Sequence, residues 1–420
     1  MIMKPMVRNN ICINAHPVGC ARETLRQIEY VAARKKLYEA LPGPRAVLVI
    51  GASTGYGLAS RIAAAFGFGA ATVGVSYEKA PSETKVGTPG WYDNRAFEAA
   101  ARAEGLVSHG VDGDAYSAEV KAEVIRAARE LGLRFDLVVY SLASPVRLDP
   151  ETGVLHKSAI KPLRAPYRGR SVDVFTGRIS EAEVQPATEE EAAETVKVMG
   201  GEDWALWIEA LAEAGVLAPS AVSVAYSYVG PELSWPIYRD GTIGRAKAHL
   251  EATAAALSAR HADRGLRAYV SINKALVTRA SAVIPVIPLY VSTLFKVMKE
   301  RGSHEDCVAQ IDRLYRDRLY APGPGGSPAA PALDPEGRIR LDDLEMSPGV
   351  QAEVEARMAH IVPENLATLA DVEGFRLDFL RIHGFEVPGV DYEADIAPDY
   401  DPLEPAVPPE EARAPGDRAR

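Results

Sequence analysis

Cysteine is scarce in this chain of 420 residues: Cys12, Cys20 and Cys307 are all it holds. Three thiols without metal-ligand spacing exclude a disulfide scaffold, predict no metal site and fit a reducing compartment. They read as small, semi-buried hydrophobes. Long apolar runs are missing too. The most apolar stretch, 280–295, contains two prolines and is too short and broken to span a bilayer. The opening Met1-Ile-Met-Lys-Pro-Met-Val-Arg8 has neither the apolar centre nor the small-residue cleavage site of a secretory signal, so a cytoplasmic address is expected and no membrane. A basic excess is also lacking. Lys and Arg number 47 against 57 Asp and Glu, a formal charge of −10, which offers no footprint for a nucleic-acid partner.

What is present is an ordinary globular composition, 47% hydrophobic and 25% charged, arranged as alternating strand and helix patterns. Short apolar runs predict strands at 45–50, 71–77, 106–110, 135–141, 221–228 and 267–273. Amphipathic spacing predicts helices at 22–41, 58–66, 93–104, 115–132, 203–215 and 242–261. Such alternation indicates an α/β fold, a doubly wound parallel sheet flanked by helices. Residues 321–331, rich in Pro and Gly, read as a surface loop. From 398 onward Pro, Ala and charge prevail, which predicts a disordered tail.

The first strand runs into Gly51-Ala52-Ser53-Thr54-Gly55-Tyr56-Gly57 and then a helix. Small residues at a strand-to-helix turn let backbone approach a pyrophosphate, and the helix N-terminus offers free N–H groups. No Gly-Lys-Ser/Thr follows, so the turn is not a P-loop. Glu78, after Tyr77 at the end of the second strand, is placed to accept from adenosine ribose hydroxyls and to repel a 2′-phosphate, favouring NADH over NADPH. Asp114-Ala115 and Leu142-Ala143, after the third and fourth strands, are placed to flank the adenosine.

Tyr238-Arg-Asp-Gly-Thr-Ile-Gly-Arg-Ala-Lys247 carries the second signal. No tyrosine here has a lysine four residues on, the spacing that puts both on one helical face. Nine helical residues rotate about 900° and rise about 13.5 Å, so the two converge only if Tyr238 lies outside the helix. Asp240-Gly-Thr242 supplies start signals between them. Lys247 falls on an apolar stripe of Ile243, Ala246, Leu250, Ala254 and Leu257, an uncommon place for an unpartnered ammonium. A tyrosine hydroxyl can stabilise and protonate the enolate formed when hydride adds to an enoyl thioester. An adjacent ammonium would lower the tyrosine pKa and can hold the nicotinamide ribose. Two alternatives remain: a short-chain-type NAD-dependent carbonyl or alcohol dehydrogenase, which the missing Tyr-x3-Lys opposes, and a non-enzymatic NAD-binding sensor, which leaves Lys247 unexplained.

Together the glycine turn, Val139-Tyr-Ser-Leu-Ala-Ser-Pro145, Tyr226-Ser-Tyr-Val-Gly230, Tyr238-x8-Lys247 and Asn273-Lys-Ala-Leu-Val-Thr278 resemble the single-chain trans-2-enoyl-CoA reductases, including the FabV-type enoyl-acyl-carrier-protein reductases. His16-Pro-Val-Gly-Cys20 and Ile284-Pro-Val-Ile-Pro-Leu-Tyr290 look alike as well, and the resemblance runs to about residue 390. It implies one enlarged Rossmann-type domain over 1–397, with a nucleotide core at about 45–278, appended elements, and a substrate lid at about 280–320. It implies NADH/NAD+ as cofactor, an acyl-CoA or acyl-carrier-protein thioester as substrate, and a monomer. Tyr238 and Lys247 would be catalytic and Tyr228 a substrate contact. Gly51 to Tyr56, Tyr77, Glu78, Asp114, Ala115, Leu142, Ala143, Lys247, Leu276, Val277 and Thr278 would bind the cofactor. Tyr77 stands where phenylalanine is common and Arg279 where glutamine is expected. Seven basic residues between Arg147 and Arg178, with three acids, form a patch suited to coenzyme A phosphates or an acidic carrier, or else a solvated face.

Overall fold

The computed structural model describes residues 1–8, 11–279, 281 and 287–402. Its centre is a sheet of seven parallel strands: β1 (Ala46–Ile50), β2 (Ala71–Ser76), β3 (Ser108–Asp112), β4 (Phe135–Tyr140), β5 (Leu217–Ser227), β6 (Arg267–Ile272) and β7 (Ile339–Arg340). Their spatial order is β7-β6-β5-β4-β1-β2-β3, the dinucleotide-binding order with a seventh strand appended. Every residue of β1, Ala-Val-Leu-Val-Ile, is buried. Helices cover both faces, so the strand has no polar side to alternate with. The order reverses between β1 and β4, opening a crevice at their C-terminal ends. All six predicted strands are present in this sheet, and β7 is its one strand that the residue pattern did not announce.

The glycine turn leads into α2 (Gly55–Ile62), which runs without interruption into a π-turn, Ala63–Gly67. The predicted helix 22–41 begins earlier and ends sooner, as α1 (Pro17–Ala32), followed by the separate turn Lys35–Tyr38. Proline suits a first helical turn, and His16 caps it by accepting from Gly19 N through Nδ1 at 3.1 Å. The break at 33–34 lets Tyr38 turn inward and donate to Asp312 Oδ1 at 2.6 Å.

Between β4 and β5 lie two antiparallel hairpins, Val146–Leu148 with Leu155–Lys157 and Tyr167–Val172 with Ile179–Val184. Most of the supposed basic patch is paired here. Arg147 is buried, its guanidinium on Lys197 O and Glu202. Lys161 pairs with Glu191, Arg168 with Glu183, and Arg170 donates to the carbonyls of Met358 and Ile361. Arg147 and Arg170 therefore serve the fold, and Lys161 and Arg168 each have an acid beside them, which weakens the patch as a docking surface.

The helix Ile287–Glu300 is buried along most of its length and packs against Pro348–His360 and Val372–Arg381. Residues 280 and 282–286 of the expected lid lie outside the described residues. Early and late segments of the chain are joined: His16 N donates to His383 O at 2.8 Å, and the His16 ring stands edge-on to Tyr392 with centroids 4.7 Å apart. The loop 321–331 contains a short 3-10 turn, Pro324–Gly326. The first residues of the expected tail are held, contrary to expectation. Pro398 O accepts from Tyr92 Oη at 3.2 Å, and Asp401 pairs with Arg95; residues 403–420 of that tail lie outside the described residues.

Candidate active site

The glycine turn is shaped by close approach. Gly51 has φ +86°, and a side chain there would meet Ser141 O at 2.4 Å; one on Gly57 would meet Gly51 O at 1.8 Å. Gly51 N and Ala52 N both donate to Val75 O at 2.9 Å, which pins the turn to β2. Thr54 is the N-cap of α2 but places no side-chain hydrogen bond on it, so the first N–H groups are left for an anion.

At the end of β2, Glu78 is tied to its neighbours. Its Oε1 accepts from Ser53 Oγ at 2.7 Å and from Arg279 at 3.1 Å, and its backbone N donates to Asp112 at 2.9 Å. The carboxylate held out in the sequence for ribose hydroxyls thus already has a cation beside it. Tyr77 is 80% exposed. Asp114 closes its own turn by accepting from Tyr116 N at 3.0 Å. Ala115 is buried, its carbonyl accepting from Lys121 and Trp207.

Further along the crevice is a cavity of about 250 Å³ whose wall includes Tyr56, Leu142, Ala143, Tyr228, Tyr238 and Lys247, with Leu276 and Thr278. Val277 is buried nearby. Tyr238 closes a separate turn, Trp235–Tyr238, and Lys247 sits in the second turn of α7 (Thr242–Arg260). That is the arrangement their spacing demands. The helix start differs from expectation: Gly241 is the N-cap and no side chain caps it. Thr242 Oγ1 is engaged elsewhere, donating to Ala159 O and accepting from Lys161 N. The predicted stripe on α7 is buried as a whole. Half-buried Lys247 makes one long hydrogen bond, Nζ to Tyr226 O at 3.5 Å. Ser227 Oγ and Asn273 Nδ2, on two other lining residues, are buried with no hydrogen-bond partner among the described residues. Such orphaned donors at a cavity wall suit a polar ligand. Turn, helix start and orphaned donors fit a dinucleotide.

Electrostatics separate the two central residues. Burial, and behind it the Glu345 carboxylate, push the Tyr238 phenol well above its ordinary pKa. This overturns the expectation of an ammonium-lowered tyrosine: desolvation dominates, and the charge that reaches the phenol is negative. Burial pushes Lys247 down to about 8, opposed by Glu251. The Tyr238 ring meets Tyr228 edge to face, centroids 4.9 Å apart. Tyr228 in turn donates to Glu345 at 3.0 Å.

Sequence reasoning missed Glu345, Lys274 and the Glu78–Arg279 pair. Lys274 is buried, donates to Ala275 O at 3.1 Å and is pushed down to about 8 by burial, with Glu345 opposing. Glu345 and the Glu78–Arg279 pair are joined from distant parts of the chain, and Lys274 is set by its burial; nothing local marks them.

Fold and site together define a nucleotide-dependent oxidoreductase of the Rossmann class. Residues 85–320 match the family model described as trans-2-enoyl-CoA reductase catalytic region, and residues 2–83 one described as the NAD(P)H binding domain of trans-2-enoyl-CoA reductase. The chain belongs to the trans-2-enoyl-CoA reductase family. It is 56% identical to trans-2-enoyl-CoA reductase [NADH] of Treponema denticola, over 94% of this chain and 98% of that one. It is 51% identical to enoyl-[acyl-carrier-protein] reductase [NADH] of Opitutus terrae, over 95% and 99%. The crystal structure of the Treponema denticola enzyme in complex with NAD superposes with a TM-score of 0.91 at 55% identity, covering 96% of this chain and 99% of that chain. That of the Clostridium acetobutylicum enzyme with NADH gives 0.90 at 42%, covering 96% and 100%.

Residues 333–396 match a model described as enoyl reductase FAD binding domain. The segment does not fit a flavin. It has one two-residue strand and short helices, with no strand–glycine turn–helix to take a pyrophosphate. None of its residues lines the cavity described above.

Proposed function

We propose that this chain catalyses the NADH-dependent reduction of the C2=C3 double bond of trans-2-enoyl thioesters, carried on coenzyme A or acyl carrier protein, in fatty acid synthesis. The observation that carries the proposal is the convergence of Tyr238 and Lys247, from separate elements, on one cavity beside a dinucleotide turn. The family's named relatives support it.

Gly51, Ala52, Ser53, Thr54, Gly55 and Tyr56 would hold the pyrophosphate. Tyr77, Glu78, Asp114, Ala115, Leu142 and Ala143 would hold the adenosine end, and Lys247, Leu276, Val277 and Thr278 the nicotinamide end. Bound NADH supplies hydride to the substrate β-carbon. Charge then moves onto the thioester oxygen, and the Tyr238 hydroxyl stabilises and protonates the enolate. A phenol kept neutral by burial suits that task, because it holds its proton until the oxygen becomes strongly basic. Lys247 acts on the nicotinamide ribose, and Tyr228 borders the acyl thioester. The helix Ile287–Glu300 contributes Ile287 and Val291 to the cavity wall, which supports residues 280–320 as the cover of the acyl site within a single domain of 1–397. No helix among the described residues is long and apolar enough to cross a membrane, and the three cysteines are free thiols. A cytoplasmic monomer is part of the proposal.

Crotonyl-CoA-dependent oxidation of NADH tests the reaction class. Turnover confined to ketones would replace it with a carbonyl reductase, and NADH binding without any turnover would leave a sensor. Tyr238→Phe should lower kcat about a hundredfold, the typical cost of one oxyanion donor, with NADH affinity nearly intact; retained activity removes Tyr238 from its role. Comparing crotonyl-CoA with the same acyl group on carrier protein assigns the natural carrier.

A further inference from the structure

Glu345 is fully buried, and the mechanism above gives it nothing to do. It follows β7 in the chain and stands behind the cavity wall, bonded to residues that line it. Its Oε1 accepts from Tyr228 Oη at 3.0 Å and from Tyr290 Oη at 2.7 Å. Its Oε2 accepts from Ala275 N at 2.7 Å. Gln351 Nε2 donates both to Tyr290 Oη, at 3.2 Å, and to Glu345 O, at 2.8 Å. Tyr290 Oη accepts from that amide and so has its own proton free for the carboxylate. Lys274, Nζ on Ala275 O, is the nearby cation that offsets the charge.

An ionised carboxylate is retained in a protein interior only when hydrogen bonds satisfy it. Here the three donors come from three segments: the end of β5, the loop after β6, and the helix Ile287–Glu300. Tyr228 and Ala275 line the cavity directly, and that helix lines it through Ile287 and Val291. A phenol has one proton. Tyr228 commits its O–H to the hydrogen bond with Glu345, so its oxygen presents only lone pairs elsewhere.

We propose that Glu345 is a positioning residue of the reductase site: by accepting the hydrogen bond of the Tyr228 phenol and clamping the segments of Tyr228, Ala275 and Tyr290 together, it fixes the edge against which the Tyr238 ring is set and leaves Tyr238 to donate to the thioester oxygen. The inference rests on the enoyl-reductase function proposed above. It gives the segment 333–396 a task in reduction that involves no flavin.

The experiment is steady-state kinetics on crotonyl-CoA with the full chain, melting temperature and NADH affinity measured alongside. Wild-type protein without turnover would refute the enoyl-reductase function itself; the outcomes for Glu345 are read against an active wild type. Glu345→Gln keeps the volume and removes the charge. Its kcat should fall roughly ten- to a hundredfold, the scale of a misplaced reacting group, while KM for crotonyl-CoA and NADH affinity change little. Because Glu345 acts through Tyr228, Glu345→Gln combined with Tyr228→Phe should lose no more than the worse single variant. An unchanged kcat in Glu345→Gln, a loss appearing in KM alone, or fully additive losses in the double variant would each overturn the proposal. Should Glu345→Gln not fold, Tyr290→Phe removes one donor from the same oxygen and leaves the residues of the cavity wall unchanged. There a several-fold fall in kcat at constant KM supports the clamp, and a wild-type kcat refutes it.

Discussion

Lys247 is where charge and pH meet in this site. Pushed down to about 8, it is an ammonium below that pH and increasingly a neutral amine above it. A contact with the nicotinamide ribose that depends on the charge should weaken as pH rises through about 8. KM for NADH, measured on either side of that value, should increase on the alkaline side. Lys247→Arg, charged throughout this range, should flatten the dependence; an alkaline rise that persists in Lys247→Arg assigns it to another group. At the adenosine end, Arg279 partly neutralises Glu78. Glu78→Ala should relax discrimination against NADPH, because it removes the carboxylate that would repel a 2′-phosphate and leaves Arg279 without its anion. Arg279→Gln should sharpen it, since Glu78 loses its cation. A change of about tenfold in the NADPH/NADH ratio of kcat/KM, worth about 1.4 kcal/mol, is expected in each direction. Equal ratios in all three proteins would place both side chains away from the ribose.

Elements were legible where their cause is local. The buried run of β1, the glycine turn and the stripe on α7 each carry their pattern within a few consecutive residues, and the nine-residue gap sufficed to place Tyr238 ahead of its helix. Where the cause is distant, legibility ended. The early start of α1 depends on a histidine cap, β7 on pairing with β6, and Glu345 on tyrosines 55 and 117 residues away. The π-turn after α2 likewise has no signature in Ala-Ala-Ala-Phe-Gly. The helix Ile287–Glu300 illustrates tertiary dependence: Leu294 is completely buried, and Leu294→Ala should cost about 2–5 kcal/mol in chemical unfolding. A cost below about 1 kcal/mol would mean that this helix is not packed as described. Gly57→Ala, whose methyl would strike Gly51 O, should weaken NADH binding sharply in equilibrium titration, and unaltered affinity would show that the turn tolerates a side chain.

For the whole molecule, nucleotide binding and folding are linked, because the turn, the Glu78 corner and the cavity are assembled only when β1, β2, β4, β5 and β6 lie side by side. NADH at a hundred times its Kd should therefore stabilise the folded chain by about 2.7 kcal/mol, read as a rise in melting temperature that saturates with ligand; an unshifted transition would separate binding from the folded sheet. The junction of His16 with His383 has a further consequence, for biosynthesis. The helix Pro17–Ala32 leaves a ribosome long before the residues that close over its start, because His383 follows His16 by several hundred residues. At ordinary elongation speeds that interval is on the order of tens of seconds. Throughout it, the apolar side of the emerging helix and the incomplete edge of a parallel sheet are available to chaperones and to aggregation, and only synthesis past residue 383 permits the two segments to meet.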